Sequence, residues 1–280
     1  MLNLTELQID AFVARLRDGY HRTYGAHDSE HAEIIGWAGA MALENIANSN
    51  ALYHNVEHTI LVTLVGQEIL RGKHIREGGV STREWQHFVI SLLCHDIGYV
   101  HGVCLADGDG KAATGRGDEL VSMPEGATDA WLTPYHVDRG KLFIRERFGD
   151  RPLIDADTIA RNVEHTRFPV PEQQDSGDMR SFPGLVRAAD LIGQLGDPRY
   201  LKKIPALFYE FQETGVNAEL GYRHPGDLRT NYPRFYWERV HPYVADALDY
   251  LSRTQQGQQI TASLFANVLT VQLEVGSAGQ

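Results

Sequence analysis

The stretch Glu84 to Gly102, EWQHFVISLLCHDIGYVHG, decides how this 280-residue chain is read. Its apolar residues Val89, Leu92, Leu93, Ile97 and Val100 recur at the offsets of one buried helical stripe. Asp96 falls on that stripe between Leu93 and Ile97, with His95 beside it. A carboxylate on a buried face is costly unless it is paired or coordinates a metal. A neighbouring imidazole or a backbone N–H is the simple partner, whereas a metal needs further ligands from elsewhere in the chain. Just upstream, Ser81 and Glu84 have the spacing of a capping box, which marks the start of this helix.

Working outward, the flanking segments also carry helical signals. Residues 4–19 read as a helix ended by Gly19, and residues 28–47 as a second. In ALYHNVEHTILVTLVGQEILRG, His58, Val62, Val65 and Ile69 share one face. His54 precedes His58 by four residues, so the two imidazoles are expected to point the same way, with Gly72 closing that helix. Downstream, 135–148 and 152–166 read as helices that place Ile144 and Val163 inward, His136 at the start of the first and His165 near the end of the second. Residues 184–196 form an apolar helix with Asp190 in its middle, where Asp is disfavoured. A helix following Asp197-Pro198 is expected to kink or break at Pro205.

Two regions lack a helical period. Residues 105–129 are Gly-rich and irregular, and their Asp107-Gly-Asp109-Gly run fails the remaining positions of a calcium loop. Residues 221–243 are aromatic and Pro-rich and read as an ordered loop with short helical turns packed over the core, followed by a last helix over about 244–254. The weakly patterned final residues leave room for pairing with another copy of the chain. No strand pairs are evident. The expected fold is all-α: a single helical-bundle domain over 1–280, with its core at about 50–200, N-terminal helices over 1–49, and C-terminal helices and the aromatic loop over 201–280.

Composition narrows the function classes. Hydrophobic residues make up 42% of the chain, enough for a sizeable core. A net charge of −11 argues against a nucleic-acid-coating surface and against an anionic membrane as partner. A small anionic substrate stays open, because a bound metal inverts the local field. The longest uncharged apolar run, Phe88 to Cys94, is too short to span a bilayer. The N-terminus lacks the basic region and apolar run of a signal peptide. Cys94 and Cys104 form no paired motif, which fits a reducing cytoplasm.

The polar residues set into apolar helices are His58, His95, Asp96, His136, His165 and Asp190. Any one of them has a structural explanation, but six on separate helices of one bundle suggest a metal site, which bundles build from facing helices. Imidazole and carboxylate without thiolate suit divalent Mn, Fe, Ni or Zn, with Mg also open. The other histidines outside the YHNxxH and HD segments read as core or surface residues.

YHNxxH (Tyr53 to His58), then His95-Asp96, then the distal Asp190 resembles the HD-domain superfamily of metal-dependent phosphohydrolases over roughly residues 50–200. The YHNxxH segment also resembles the opening motif of class I cyclic-nucleotide phosphodiesterases. The full order resembles the dinuclear branch of the superfamily. The resemblance implies two divalent metals, one held by His58, His95, Asp96 and Asp190, the other by Asp96 as a bridge with His136 and His165. It implies hydrolysis of a phosphomonoester or phosphodiester by a metal-bound hydroxide, with His54 protonating the leaving oxygen. Arg139, Lys141, Arg167 and His101 stand near these motifs as candidate substrate contacts. The chain departs from the phosphodiesterases after His95-Asp96: their HDxxHPG is missing, as are their purine-clamping residues and the GYP signature of cyclic-di-GMP hydrolases. The substrate is therefore expected only as a small phosphorylated compound. Two rivals remain: a di-iron oxygenase with the same ligand order, and a non-enzymatic, metal-stabilised regulatory module.

Overall fold

The computed structural model describes residues 3–172 and 177–278. The fold is predominantly all-α. Its helices are α1 (Leu4–Tyr24), α2 (Glu30–Ile46), α3 (Val56–Glu77), α4 (Thr82–Cys94), α5 (His136–Phe148), α6 (Ala156–Glu164), α7 (Phe182–Leu195), α8 (Tyr200–Thr214), α9 (Val216–Leu220), α10 (Pro225–Phe235), α11 (His241–Leu251) and α12 (Gln255–Ala278). Helix α3 lies against α4 and α7, α1 packs on α2, α2 on α4, and α11 on α3 and α7. No helix among the described residues is long and apolar enough to cross a membrane.

Periodicity predicted the buried faces well. Val62, Val65 and Ile69 of α3, Val89, Leu92 and Leu93 of α4, and Ile144 and Val163 of α5 and α6 are all in the core. Gly66 shows how closely these elements approach. A Cβ there would stand 2.0 Å from Leu92 Cδ1 and 3.3 Å from Ala189 Cβ, so α3 can meet both α4 and α7 only with no side chain at this position.

Helix boundaries differ from the reading more than helix faces do. Glycines expected to end α1 and α3 lie inside them: Gly19 packs against Gln67, and Gly72 faces the backbone of Tyr250. The helices run on to Gly25 and Gly78, both at positive φ, where a turn out of the helix needs glycine. Pro205 sits within a continuous α8. The aromatic segment is more helical than the short turns expected, passing from α10 through a π-turn (Tyr236–Val240) into α11. Its buried Tyr232 and Tyr236 supply the apolar side that the polar and proline residues obscured. The C-terminal residues form the long helix α12, anchored by buried Leu264, Val268 and Val271. The irregular 105–129 region holds a small antiparallel hairpin, β1 (Lys111–Ala113) with β2 (Leu120–Ser122), registered Ala112 to Val121.

Candidate metal centre

The segment read as one helix through Asp96 breaks before it. Helix α4 starts at the capping box, where Glu84 N–H donates to Ser81 Oγ at 3.2 Å and Ser81 N–H donates to Glu84 Oε2 at 2.8 Å. It stops at Cys94, and Asp96 then leads into a 3-10 turn over Ile97–Tyr99 with φ −106° and ψ 4°. The buried guanidinium of Arg139 fixes this turn. Nε donates to the Gly98 carbonyl at 2.6 Å, and one terminal nitrogen donates to that of Val100 at 2.8 Å. Carbonyls that a longer helix would have paired are thereby satisfied. Gly98 lets α5 close on the turn, since a Cβ there would lie 1.9 Å from the His136 carbonyl oxygen.

His58 is aimed by a cap. Asn55, the Asn of YHNxxH, accepts from the backbone N–H groups of Glu57 at 3.0 Å and His58 at 3.3 Å, and so starts α3 one residue after itself. His54 therefore precedes the helix. It does not reach the site by sharing a helical face with His58, although the two ring centroids are 5.4 Å apart. Its Nδ1 is 2.6 Å from Glu210 Oε2 on α8, and the other carboxylate oxygen accepts from Tyr53 N–H at 2.6 Å.

Four expected ligands meet. His58 Nε2 and His95 Nε2 lie 3.1 and 3.0 Å from Asp96 Oδ2, and each lies 3.6 Å from Asp190 Oδ1. The two Nε2 atoms face each other at 3.3 Å. Two overlapping groups satisfy the spacing of a metal site: His54, His58 and Asp96, and His58, His95 and Asp190.

The donor chemistry fits a cation. His95 Nδ1–H donates to the Leu92 carbonyl at 2.7 Å, which leaves Nε2 facing the cluster. Asp96 Oδ2 is buried and makes no hydrogen bond of acceptable geometry, despite two imidazole nitrogens nearby. Ligand atoms about 2.1 Å from a metal stand about 3.0 Å apart at right angles and about 3.4 Å apart in a tetrahedron. The separations above match that spacing.

In the metal-free chain the charges compensate one another. Burial disfavours a charged His95, but the neighbouring Asp96 and Asp190 outweigh it and raise its pKa well above the usual value. Burial likewise pushes Asp96 up, but the His95 charge and the close imidazoles of His58 and His95 hold it well below the carboxylate range. His58 is lowered, chiefly by burial. Burial opposes protonation of His54, yet the charge and hydrogen bond of Glu210 raise its pKa to about 9.

The other expected site residues are placed differently. His136, at the first turn of α5, donates from Nδ1 to the Thr133 carbonyl at 2.6 Å and lies close enough to Asp96 to feel its charge. His165 caps α6, with its Nδ1 3.5 Å from the Arg187 guanidinium. Among the described residues neither joins the two groups above. Arg139 is a correction. Its side chain is 0% exposed and is taken up by Asp107 and by the carbonyls of Gly98, Val100 and Ala113, so it cannot meet a phosphate. Lys141 is paired with Asp138 and Glu164, and Arg167 with the same two carboxylates, so neither meets an anion without giving up a partner. His101 Nε2 lies 3.0 Å from the Lys111 carbonyl and braces the hairpin.

Two residues near the cluster escaped the sequence reading. Glu210 left the same kind of signal as Asp190, a lone carboxylate among Leu207, Phe208 and Phe211. Tyr99 left none, because a tyrosine in an apolar stretch reads as core.

A predominantly helical fold with a buried histidine–aspartate cluster suited to a metal ion is the class these observations define. The chain belongs to the Npun_R2479-like family, whose sequence profile matches residues 2–274. No curated protein matches it. The family name states no activity, so the chemistry has to come from the residues.

Proposed function

We propose that this chain is a metal-dependent phosphohydrolase of the HD superfamily, acting on a small phosphate ester such as a nucleotide or a cyclic-nucleotide-like compound. The observation that carries the reading is the buried Asp96 oxygen, set among His58, His95 and Asp190 at metal-ligand spacing, beside a histidine built to hold a proton. A divalent metal held by His58, His95, Asp96 and Asp190 would supply a Lewis acid and lower the pKa of water to near neutrality.

The chain's own residues have separate tasks. Glu210 takes the Nδ1–H of His54, so the proton His54 can transfer is the one on Nε2. The Glu210 carboxylate raises the pKa of His54, which suits this imidazole to hold a proton for a leaving oxygen. The carbonyl of Leu92 keeps the Nε2 of His95 turned inward. Asp190, 19% exposed against 8% for Asp96, is the most accessible of the four ligands, and substrate approaches from its side. The two buried, unpaired cysteines suit a reducing compartment, and we place the protein in the cytoplasm on that ground.

The test is to load the purified chain with Mn(II) or Fe(II) and offer p-nitrophenyl phosphate, bis(p-nitrophenyl) phosphate and cyclic nucleotides. The expected result is turnover that a chelator abolishes and that a folded Asp96→Ala variant lacks. Turnover that survives Asp96→Ala, or none with any metal on all three substrate classes, overturns the reading.

A further inference from the structure

Tyr99 lies one turn beyond the His-Asp pair, at the end of the 3-10 turn, and is only 3% exposed. Its two faces are both occupied by imidazoles. The His54 ring lies 4.5 Å away at an interplanar angle of 11°, and the His136 ring 4.6 Å away at 24°. The Thr133 side chain lies by the Tyr99 hydroxyl, and the carbonyl of that same residue accepts the Nδ1–H of His136.

We propose that Tyr99 is a positioning residue of this centre, a spacer stacked between His54 and His136 that fixes the planes of both rings. The inference deepens the hydrolase reading and rests on the role that reading gives His54. Each imidazole is held at Nδ1 by a single acceptor, Glu210 for His54 and Thr133 for His136. One hydrogen bond fixes the direction of an N–H but leaves the ring free to swing about it. A flat ring against the imidazole face removes that freedom. Tyr53 meets His54 edge-on at 74°, whereas both contacts on Tyr99 are near-parallel and of the favourable offset-stacked kind. Face-on contact is the arrangement that resists rotation of an imidazole plane. The Tyr99 backbone follows directly from the turn that carries Asp96, so the spacer ties the proton donor to the metal cluster.

The test compares Tyr99→Phe, which keeps the ring and removes the hydroxyl, with Tyr99→Leu, which removes the ring. Activity is read on bis(p-nitrophenyl) phosphate with the metal-loaded protein. Ring positions are read on metal-free protein from the NMR shifts of selectively labelled histidines, since a stacked tyrosine moves imidazole protons upfield. Tyr99→Phe is expected to retain activity and both upfield shifts. Tyr99→Leu is expected to keep its metal content and lose both shifts, with kcat falling on the order of 100-fold and KM little changed, the cost of a misplaced reacting group. Tyr99→Met fills similar space without a flat ring and stands in if the Leu variant does not fold. Wild-type kinetics in Tyr99→Leu, or equal losses in the Phe and Leu variants, overturn the proposal. If the wild-type protein hydrolyses no phosphate ester, the hydrolase reading fails by itself. The histidine shifts then decide the spacer: loss on both rings in Tyr99→Leu supports it, and unchanged shifts overturn it.

Discussion

Asp96 keeps a full charge inside the core because imidazoles surround it, and this balance makes its removal informative. Asp96→Ala and His58→Ala are each expected to abolish metal uptake measured by elemental analysis, because His58 belongs to both candidate groups and Asp96 Oδ2 stands within 3.1 Å of both His58 and His95. His165→Ala is expected to leave the metal of this cluster in place; loss of that metal would mean that His165 moves to it on loading. The His54–Glu210 pair yields a pH prediction. The folded-state pKa of His54, about 9, lies above the usual histidine value near 6.5. Stability from this pair is therefore fully present below about pH 6.5 and is lost as pH rises through 9, an effect on the order of 3 kcal/mol. Denaturant midpoints of metal-free protein between pH 6 and 10 should show this decline, and Glu210→Gln should flatten it. Asp96, His58 and Asp190 were legible because a polar residue at an apolar helical position breaks a pattern. Tyr99 obeys its pattern, so only its neighbours in space mark it.

At the scale of elements, the HD turn and the irregular loop share one fastener. Arg139 donates to two carbonyls of the turn and to the Asp107 carboxylate, and Asp107 also accepts from the N–H groups of Gly102, Cys104 and Ala113. Both side chains are fully buried. Removing one member of such a pair leaves the other charge uncompensated, so Arg139→Ala should cost about 3–5 kcal/mol in urea unfolding. It should also raise hydrogen exchange in the backbone of 98–113 before the rest of the chain opens. Gly98→Ala is expected to cost about 1–3 kcal/mol by forcing α5 away from the turn, with His136 displaced from Tyr99 in the same variant. The start of α4 was legible because its capping box is local. Its end was not, because the turn that follows it is held by a guanidinium from α5. The ends of α1 and α3 were missed for a related reason: Gly19 and Gly72 serve close packing, and the sequence does not distinguish that use of glycine from a helix stop.

Across the whole molecule, the centre draws on both ends of the expected division. His54 to Asp190 lie within residues 50–200, but Glu210 comes from the C-terminal part, where α8 also clamps Thr128 through Glu213 at 2.5 Å. A metal bound at this junction stabilises only the folded chain. Free metal at about 100 times its dissociation constant contributes about 2.7 kcal/mol, which for a chain of this size raises Tm by roughly 5 °C. Thermal melts with and without chelator should show that rise in the wild-type chain and not in Asp96→Ala. An equal rise in both would place the stabilising metal elsewhere.

By itself, the sequence determined that the chain folds into helices, which faces those helices bury, and which polar residues stand out on them. Each of those follows from the helical repeat and the cost of burying a charge, both local properties. Only the tertiary structure decided that His58, His95, Asp96 and Asp190 meet, that Glu210 holds His54, and that Tyr99 separates His54 from His136. Those contacts join residues far apart in the chain, and their geometry depends on how closely helices approach and where each one stops. Glycines without side chains, and a guanidinium from another helix that holds the turn after α4, set both.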